Sequence, residues 1–360
     1  MVDFHGFELP MWYSNIQQEH LETRNSAGIF DVSHMGLFRF KGANVRSWLS
    51  RVSTQDLTKF NPGRCGYTHF LDHNGHIIDD MIFSIRSEDE VLGVPNAYII
   101  DQMFDWLEFN LPEDGSITLE NLTEGTSIIA LQGPLSMKVV ERVLGIENSV
   151  GRFRCRDISE NNLGIEGWVQ GTGYTGEEGV EFFIPDNQAE ILWRSLLSDS
   201  EIHVAPVGLG ARDTLRLEKG YLLSGQDFKW PKIGTDYQNL PSGFLKRNTA
   251  ETRVPFGLDM NHNFIGREQT ESMIGSEIKW MGLLCEERGP SPRTGHKVFS
   301  GPEDDSEICG FVTSGAPSPS LEKVGIAMAY LSNCNVGESA WIQTSSRRRV
   351  RAKICNPPFV

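Results

Sequence analysis

At 360 residues, with 39% apolar and 22% charged side chains, the chain exceeds one ordinary hydrophobic core and predicts a folded protein of two or three domains. Its formal net charge of -15 argues against a phosphate-coating nucleic-acid binder, which needs a basic surface, and points to small molecules or proteins as partners. No apolar run approaches the roughly 18 residues that cross a membrane, and the N-terminal stretch lacks the basic-then-apolar order of a signal peptide, so a cytoplasmic protein with no membrane partner is expected. The cysteines (Cys65, Cys155, Cys285, Cys309, Cys334, Cys355) form no Cys-x-x-Cys pair and predict reduced, structural thiols.

In chain order, a helix is expected over Gln17–Arg24, with Glu19, Glu22 and Arg24 facing outward, leading into a strand-like Gly28–Gly36. Phe38, Phe40, Trp48 and Leu49 open an α/β unit that runs through Tyr67-Thr68-His69-Phe70, a strand at Glu90–Pro95 and a helix at Asp101–Asn110. Ser127–Gln132 reads as a short apolar strand stopped by Gly133-Pro134, and Leu135–Leu144 as the helix after it. Between Asp227 and Glu251, turn residues such as Trp230-Pro231, Gly234-Thr235 and Pro241-Ser242-Gly243 leave little period, so the stretch reads as a long surface loop or insertion. From about Glu277 onward, short strands (Trp280–Cys285, Lys297–Ser300, Cys309–Thr313, Gly325–Leu331, Ala340–Gln343, Val350–Ile354) predict an antiparallel barrel or jelly roll with its own core.

Chemistry is suggested first by Asp79-Asp80, set between Ile77-Ile78 and Met81-Ile82-Phe83. Neighbours on a strand face opposite ways, so at least one carboxylate looks inward and needs donors or a task. The alternative is a strand end just past the turn Leu71-Asp72-His73-Asn74-Gly75.

Four glycines in Gly171-Thr172-Gly173-Tyr174-Thr175-Gly176-Glu177-Glu178-Gly179 precede the strand of Glu181, Phe182 and Phe183. They allow close backbone approach to a flat ligand, with Tyr174 as a stacking face, or they form a tight hairpin with a surface tyrosine. The strand that follows rules out a dinucleotide fingerprint, which must open a helix. Arg212 and Arg216, four apart on an expected helix, share a face and are answered either by Asp213 and Glu218 or by a carboxylate ligand or buried acid; Tyr221 lies just beyond. His69, His73 and His76 alternate with Asp72, Asp79 and Asp80 but sit on opposite sides of a turn and give no coherent metal-ligand set. Arg347-Arg348-Arg349, Arg351 and Lys353 read as a solvated strand face or a dock for an acidic partner, and His34 as a core or a functional histidine.

The motifs FDVSHMG (Phe30 to Gly36), NGHIIDDMI (Asn74 to Ile82), ALQGP (Ala130 to Pro134), GTGYTGEEGVE (Gly171 to Glu181), GLGARDTLRLEKGYLLSGQD (Gly208 to Asp227), FIGRE (Phe264 to Glu268) and FVTSGAPSPSL (Phe311 to Leu321) occur in one order. That order, with the closing Pro357-Pro358-Phe359, resembles the aminomethyltransferase, or T-protein, of the glycine cleavage system across nearly the whole chain. The resemblance implies an α+β fold: a three-domain cloverleaf around a central folate site, ending in a C-terminal antiparallel β-barrel or jelly roll. Its domains would be 1–37 with 125–228, 38–124 with 229–274, and 275–360.

The resemblance further implies that tetrahydrofolate is the acceptor substrate and that the lipoylated H-protein brings the aminomethyl group. The folate nitrogen attacks that carbon, ammonia leaves, and methylenetetrahydrofolate and dihydrolipoyl H-protein result. The family's essential aspartate falls on Asp80, suited to orienting folate nitrogens and stabilising a cationic carbon. Its folate-pocket residues match Tyr67, Asn96, Tyr174, Glu181, Arg212 and Tyr221. Glu181 and Asn96 would suit the pterin edge, the tyrosines its faces, and Arg212 a carboxylate or a neighbouring acid.

Several positions depart from the family pattern: His76 and Gly171 stand where a glycine and an arginine are usual, Ser224 replaces an aromatic, the stretch from about Phe228 to Ala250 is long, and the usual N-terminal extension is missing. They touch substrate choice more than fold. Two other functions share the scaffold: a folate-dependent demethylase of a small methylated compound, like the dimethylsulfoniopropionate demethylases, and a non-enzymatic folate-binding relative that supports iron–sulfur assembly. The preserved acid pair disfavours the first. The second group carries Lys-Gly-Cys, whereas Lys219-Gly220 here is followed by Tyr221.

Overall fold

The structure, a computed structural model, describes residues 1–146, 150–158, 160–234 and 239–360. Two compact units share the chain: Met1–Phe70, Asp79–Arg212 and Phe256–Ile265 form the first, and Leu71–Ile78, Asp213–Pro255 and Gly266–Val360 the second.

The first unit opens with a hairpin of β1 (Val2–Phe4) and β2 (Phe7–Leu9), followed by α1 (Ile16–Asn25). Asn15 starts α1 by accepting from the Gln18 N–H at 2.9 Å. Glu19 does not face outward as its position in the expected helix suggested. It is buried, and its carboxylate takes the backbone N–H groups of Tyr13, Ser14 and Gly208 at 2.6, 2.7 and 2.9 Å. Three charge-assisted bonds offset the desolvation of the carboxylate, which no rule of helical spacing registers.

Next come β3 (Ala27–Asp31), β4 (Phe38–Lys41), α2 (Val45–Val52), β5 (Cys65–Leu71), β6 (Ile77–Ile85) and β7 (Glu90–Val94). The strand expected over Gly28–Gly36 thus stops at Asp31, whose carboxylate accepts from the Ser33 N–H at 3.0 Å and turns the chain. After α3 (Ile100–Phe109) follow β8 (Thr118–Asn121), β9 (Thr126–Gln132), α4 (Ser136–Leu144), β10 (Cys155–Ile158), β11 (Gly167–Gln170), β12 (Gly179–Pro185), α5 (Asp186–Leu197) and β13 (Val204–Pro206).

These strands form two sheets, one ordered β10-β11-β12-β9-β3-β13, the other β5-β6-β7-β4-β8. In the larger sheet only β13 runs parallel to its neighbour β3. One core gathers Ile29, Leu131, Phe182 and Ile184 from this sheet with Val139, Val140 and Leu144 of α4 and Leu192 and Leu196 of α5. Each helix presents its apolar stripe at three- and four-residue spacing, so the strands' inward residues meet a continuous apolar layer. In the smaller sheet Phe83 packs edge-on against Phe40 and Phe70, with centroids 5.8 and 5.9 Å apart. That packing fixes the pleat of β6, and with it the direction of Asp79 and Asp80.

Helix α6 (Leu209–Lys219) spans the boundary between the two stretches of chain. The second unit then adds α7 (Thr249–Thr252), α8 (Arg267–Met273) and the strands β14 (Lys279–Cys285), β15 (Lys297–Phe299), β16 (Ile308–Ser318), β17 (Val324–Leu331), β18 (Ser339–Ser345) and β19 (Arg348–Cys355). They close as β14-β17-β16-β15-β18-β19, the antiparallel barrel that the short punctuated strands predicted. Inward-facing Leu283, Val312, Ala327, Ala329, Ile342 and Val350 fill it, small residues alternating with large ones as a narrow barrel requires.

The stretch expected to be a surface loop or insertion has few regular elements but is anchored inward at several described residues. Phe228, Trp230, Leu245, Arg247 and Asn248 are buried, and Asn248 and Glu251 form a capping box at the start of α7. Aperiodic sequence concealed a packed segment, because its anchors are single side chains rather than a repeating face. Residues 235–238 of this stretch lie outside the described residues. All six cysteines are free thiols, and among the described residues no helix is long and apolar enough to cross a membrane.

Candidate active site

The centre of the site is set by strand register. In β6 and β7, Ile82 stands opposite Val94, so antiparallel pairing carries position 96 across from position 80. Pro95 ends the ladder, and Asn96 turns over the acid pair. Its side-chain nitrogen lies 2.8 Å from Asp79 Oδ1 and 2.7 Å from Asp80 Oδ1, and its backbone N–H donates to Asp79 Oδ2 at 3.0 Å. Carboxylates only accept, so the amide's NH2 must face them and its Oδ1 is the acceptor left to face elsewhere.

The two acids have different surroundings. Asp79 is fully buried, whereas Asp80 is half-buried. Asp80 Oδ2 also accepts from the Tyr67 hydroxyl at 2.6 Å. Burial first, and Asp80 second, push the Tyr67 phenol well above its ordinary pKa, so it remains a donor; Tyr174 and Asp79 add to the shift. Gly257, at φ +86°, lets the backbone lie against the Tyr67 ring: a Cβ there would stand 2.6 Å from Cδ1. Phe256 meets the same ring edge-on at 5.4 Å.

Beside this cluster the glycine-rich segment forms a loop into β12, as its spacing allowed. The Arg212 guanidinium lies over the Tyr174 ring, 4.9 Å from its centroid. Burial lowers the Arg212 pKa, while Tyr174 and Glu181 act to raise it. Glu181, half-buried on β12, is held by the Thr172 hydroxyl and by Gln170 Nε2 at 3.2 Å. Tyr67, Asp80, Asn96, Tyr174, Glu181 and Arg212 therefore gather in the first unit, each side chain partly exposed amid buried neighbours. That combination of two aromatic faces, two acids, an amide acceptor and a guanidinium suits a flat, polar-edged ligand. A surface cleft of about 300 Å³ lined by Tyr13, Asp31, Ser33 and Trp193, among others, shares none of these residues.

Tyr221 belongs to the second unit, where its backbone N–H donates to the Arg216 carbonyl at 3.0 Å. Arg216 is fully buried and answered by protein rather than ligand: Asp213 at 2.8 Å, Asp227 at 2.9 Å, Ser314 Oγ at 2.8 Å and the Tyr221 carbonyl at 3.0 Å. Glu218 accepts from the Ser318 hydroxyl and from the Ser320 N–H and hydroxyl. Helical spacing found the two arginines; it did not show that one is structural and the other stacked on Tyr174.

The remaining candidates are local. His34 is buried among the rings of Phe4 and Phe7, and burial holds its pKa near 3. His76 faces Asp72 at 3.4 Å, and among the described residues no group of three His, Cys, Asp or Glu side chains could hold a metal ion. Arg349 stacks on Phe299 and Arg351 pairs with Glu286, so these barrel arginines cover their own strands. At Gly171 a Cβ would stand 2.3 Å from the Gly151 carbonyl oxygen, so glycine here permits the close pairing of that strand end with residues 151–154. Ser224 is buried and bridges to Phe228. Two contributors escaped sequence reasoning: Asn96 as the clamp on both acids, and His69, whose Nε2 lies 3.0 Å from the Tyr67 hydroxyl. The period-two spacing of Tyr67 and His69 was the available signal for the second.

An α+β chain closed by a six-stranded antiparallel barrel, with a donor-clamped acid pair on a sheet strand, defines the class. The chain matches the GCVT N-terminal domain over residues 1–231 and the glycine cleavage T-protein C-terminal barrel domain over residues 279–360. The aminomethyltransferase of Halalkalibacterium halodurans is 34% identical over 365 residues, covering 100% of this chain and 93% of its own. That of Chlorobaculum tepidum is 37% identical over 350 residues, covering 95% and 90%, and a probable aminomethyltransferase of Halobacterium salinarum is 33% identical over 365 residues, covering 100% and 94%. The crystal structure of glycine cleavage system aminomethyltransferase T from Bartonella henselae superposes with a TM-score of 0.84 at 26% identity, covering 100% of this chain and 93% of that one. The chain belongs to the glycine cleavage T-protein family, a family of transferase enzymes.

Proposed function

We propose that this chain moves the aminomethyl carbon of aminomethyl-dihydrolipoyl H-protein to tetrahydrofolate, releasing ammonia and yielding methylenetetrahydrofolate and dihydrolipoyl H-protein. The observation that carries this reading is Asp80: a half-exposed carboxylate whose two oxygens are fixed by Asn96 and Tyr67, on the second acid of the pair that the family uses. Asn96 and Tyr67 hold the carboxylate in one orientation before substrate arrives, so its negative charge is preorganised for the positive charge that develops on the transferred carbon. An exposed face also lets it hydrogen-bond an attacking N–H group and take its proton.

The surrounding side chains fit the acceptor. Glu181 and the outward Oδ1 of Asn96 match the N–H edge of a pterin, Tyr67 and Tyr174 its faces, and Arg212 a carboxylate. Tyr221 is assigned to folate binding by its place in the family motif alone. The lipoylated arm of the H-protein is the donor's carrier in this reading. Single-turnover formation of methylenetetrahydrofolate from aminomethyl-loaded H-protein tests it. Turnover in the parent that collapses in Asp80→Asn, with folate binding retained, is the expected result. Folate binding without turnover would move the donor to another one-carbon compound.

A further inference from the structure

We infer that His69 is a positioning residue that aims the Tyr67 hydroxyl at Asp80. The inference rests on the reading above that Asp80 is catalytic. Tyr67 and His69 are two apart on β5 and so share a face, and their rings meet edge-on at 5.1 Å and 80°. His69 Nε2 lies 3.0 Å from Tyr67 Oη, and Tyr67 Oη lies 2.6 Å from Asp80 Oδ2.

Proton counting orders the three groups. A phenol carries one hydrogen, and a carboxylate can only accept, so that hydrogen points at Asp80. The contact between Tyr67 Oη and His69 Nε2 then requires the hydrogen to come from the imidazole. Burial drives the His69 pKa down to about 3, so the ring is neutral and its single N–H sits on Nε2. The result is a directed chain, His69 N–H to Tyr67 O–H to Asp80, in which each bond polarises the next. Without the imidazole donor, the phenol loses the bond that polarises its O–H toward Asp80 and holds its oxygen in place.

The backbone under His69 does not depend on its ring. Thr54 accepts from the His69 N–H at 3.0 Å and donates its own N–H to the His69 carbonyl at 2.9 Å, so replacing the side chain leaves the strand tied. Tyr67 faces the ring nitrogen and, through it, Asp80.

The test compares His69→Leu, which removes the donor, and His69→Gln, whose amide nitrogen reaches nearly the same place, each in the parent and in Tyr67→Phe. In single turnover, His69→Leu is expected to lose about tenfold in rate, the scale of one hydrogen bond, while folate affinity stays within about twofold; His69→Gln recovers most of it. In the Tyr67→Phe background His69→Leu should cost nothing more. An equal loss in both backgrounds, or no recovery with glutamine, overturns the inference. Nitrogen-15 NMR of the His69 ring reads the same geometry without turnover. A neutral ring protonated on Nε2 supports the chain, and one protonated on Nδ1 overturns it. A parent that never transfers the carbon would instead sink the proposed function, leaving the NMR result to decide this point.

Discussion

Asn96 holds Asp79 twice, by its backbone N–H at 3.0 Å and its side-chain nitrogen at 2.8 Å. Asp79 is fully buried, so those donors are part of what lets a carboxylate stay inside the sheet. The same amide nitrogen reaches Asp80 at 2.7 Å, so one side chain couples the stability of the strand to the orientation of the candidate catalytic acid.

Asn96→Ala should therefore lose both kinds of support. Stability should fall by about 2 kcal/mol, the scale of hydrogen bonds to a charged group, and transfer activity should drop with it. Urea unfolding followed alongside single turnover checks this. An unchanged midpoint with full activity would mean that the clamp contributes nothing.

Glu181 is held by Thr172 and Gln170 without being fully enclosed, which leaves carboxylate capacity for a ligand. Glu181→Ala is expected to weaken tetrahydrofolate binding by about tenfold or more, since a ligand N–H edge would lose a charged acceptor. Asp80→Asn should leave that affinity nearly intact. Isothermal titration of both variants separates binding from chemistry, and wild-type affinity in Glu181→Ala would remove the pterin-edge assignment.

In the second unit, Arg216 and Asp227 form a fully buried ion pair at 2.9 Å, extended by Ser314. Removing one partner strands the other charge, so Arg216→Met should cost about 3–5 kcal/mol. Arg216→Lys should not rescue it, because a lysine cannot supply the several fixed N–H directions that Asp213, Asp227, Ser314 and the Tyr221 carbonyl use. Asp227→Leu combined with Arg216→Met should cost less than the sum of the single changes. Denaturant midpoints across that cycle decide whether the pair is coupled.

Stability should also depend on pH through His34 and His69, both buried and both held near pKa 3 in the folded chain. Unfolded histidine takes up its proton near pH 6.5, so between about pH 6.5 and 3 the unfolded state binds more protons and folding weakens as pH falls. From pH 7.5 to 5.5 each ring should remove roughly 1.4 kcal/mol. His69→Gln should lessen the dependence by one ring's share. Urea midpoints that do not move over this interval would show that the rings are protonated in place.

Apolar periodicity and turn residues carried much of the fold in plain view. The apolar run on both sides of Asp79-Asp80 announced a strand with acids on it, and the short punctuated runs after Glu277 announced the barrel. Periodicity states which way a residue faces. It does not state what stands opposite, and so it misread Glu19, which leaves the solvent to collect three backbone N–H groups. It likewise passed over the buried anchors of the segment around Phe228 and Leu245.

By itself, then, the sequence determined the elements, the acid pair on its strand, and, through seven ordered motifs, the family. Tertiary structure alone decided the partners: Asn96 across from Asp80 by strand register, Tyr67 pinned by His69 and Gly257, Arg212 on Tyr174, Arg216 withdrawn into an ion pair. The reason is physical. Facing direction follows from local repeat geometry within one segment, whereas a hydrogen-bond partner depends on how distant segments align, and a shift of one residue in that alignment would exchange every pair.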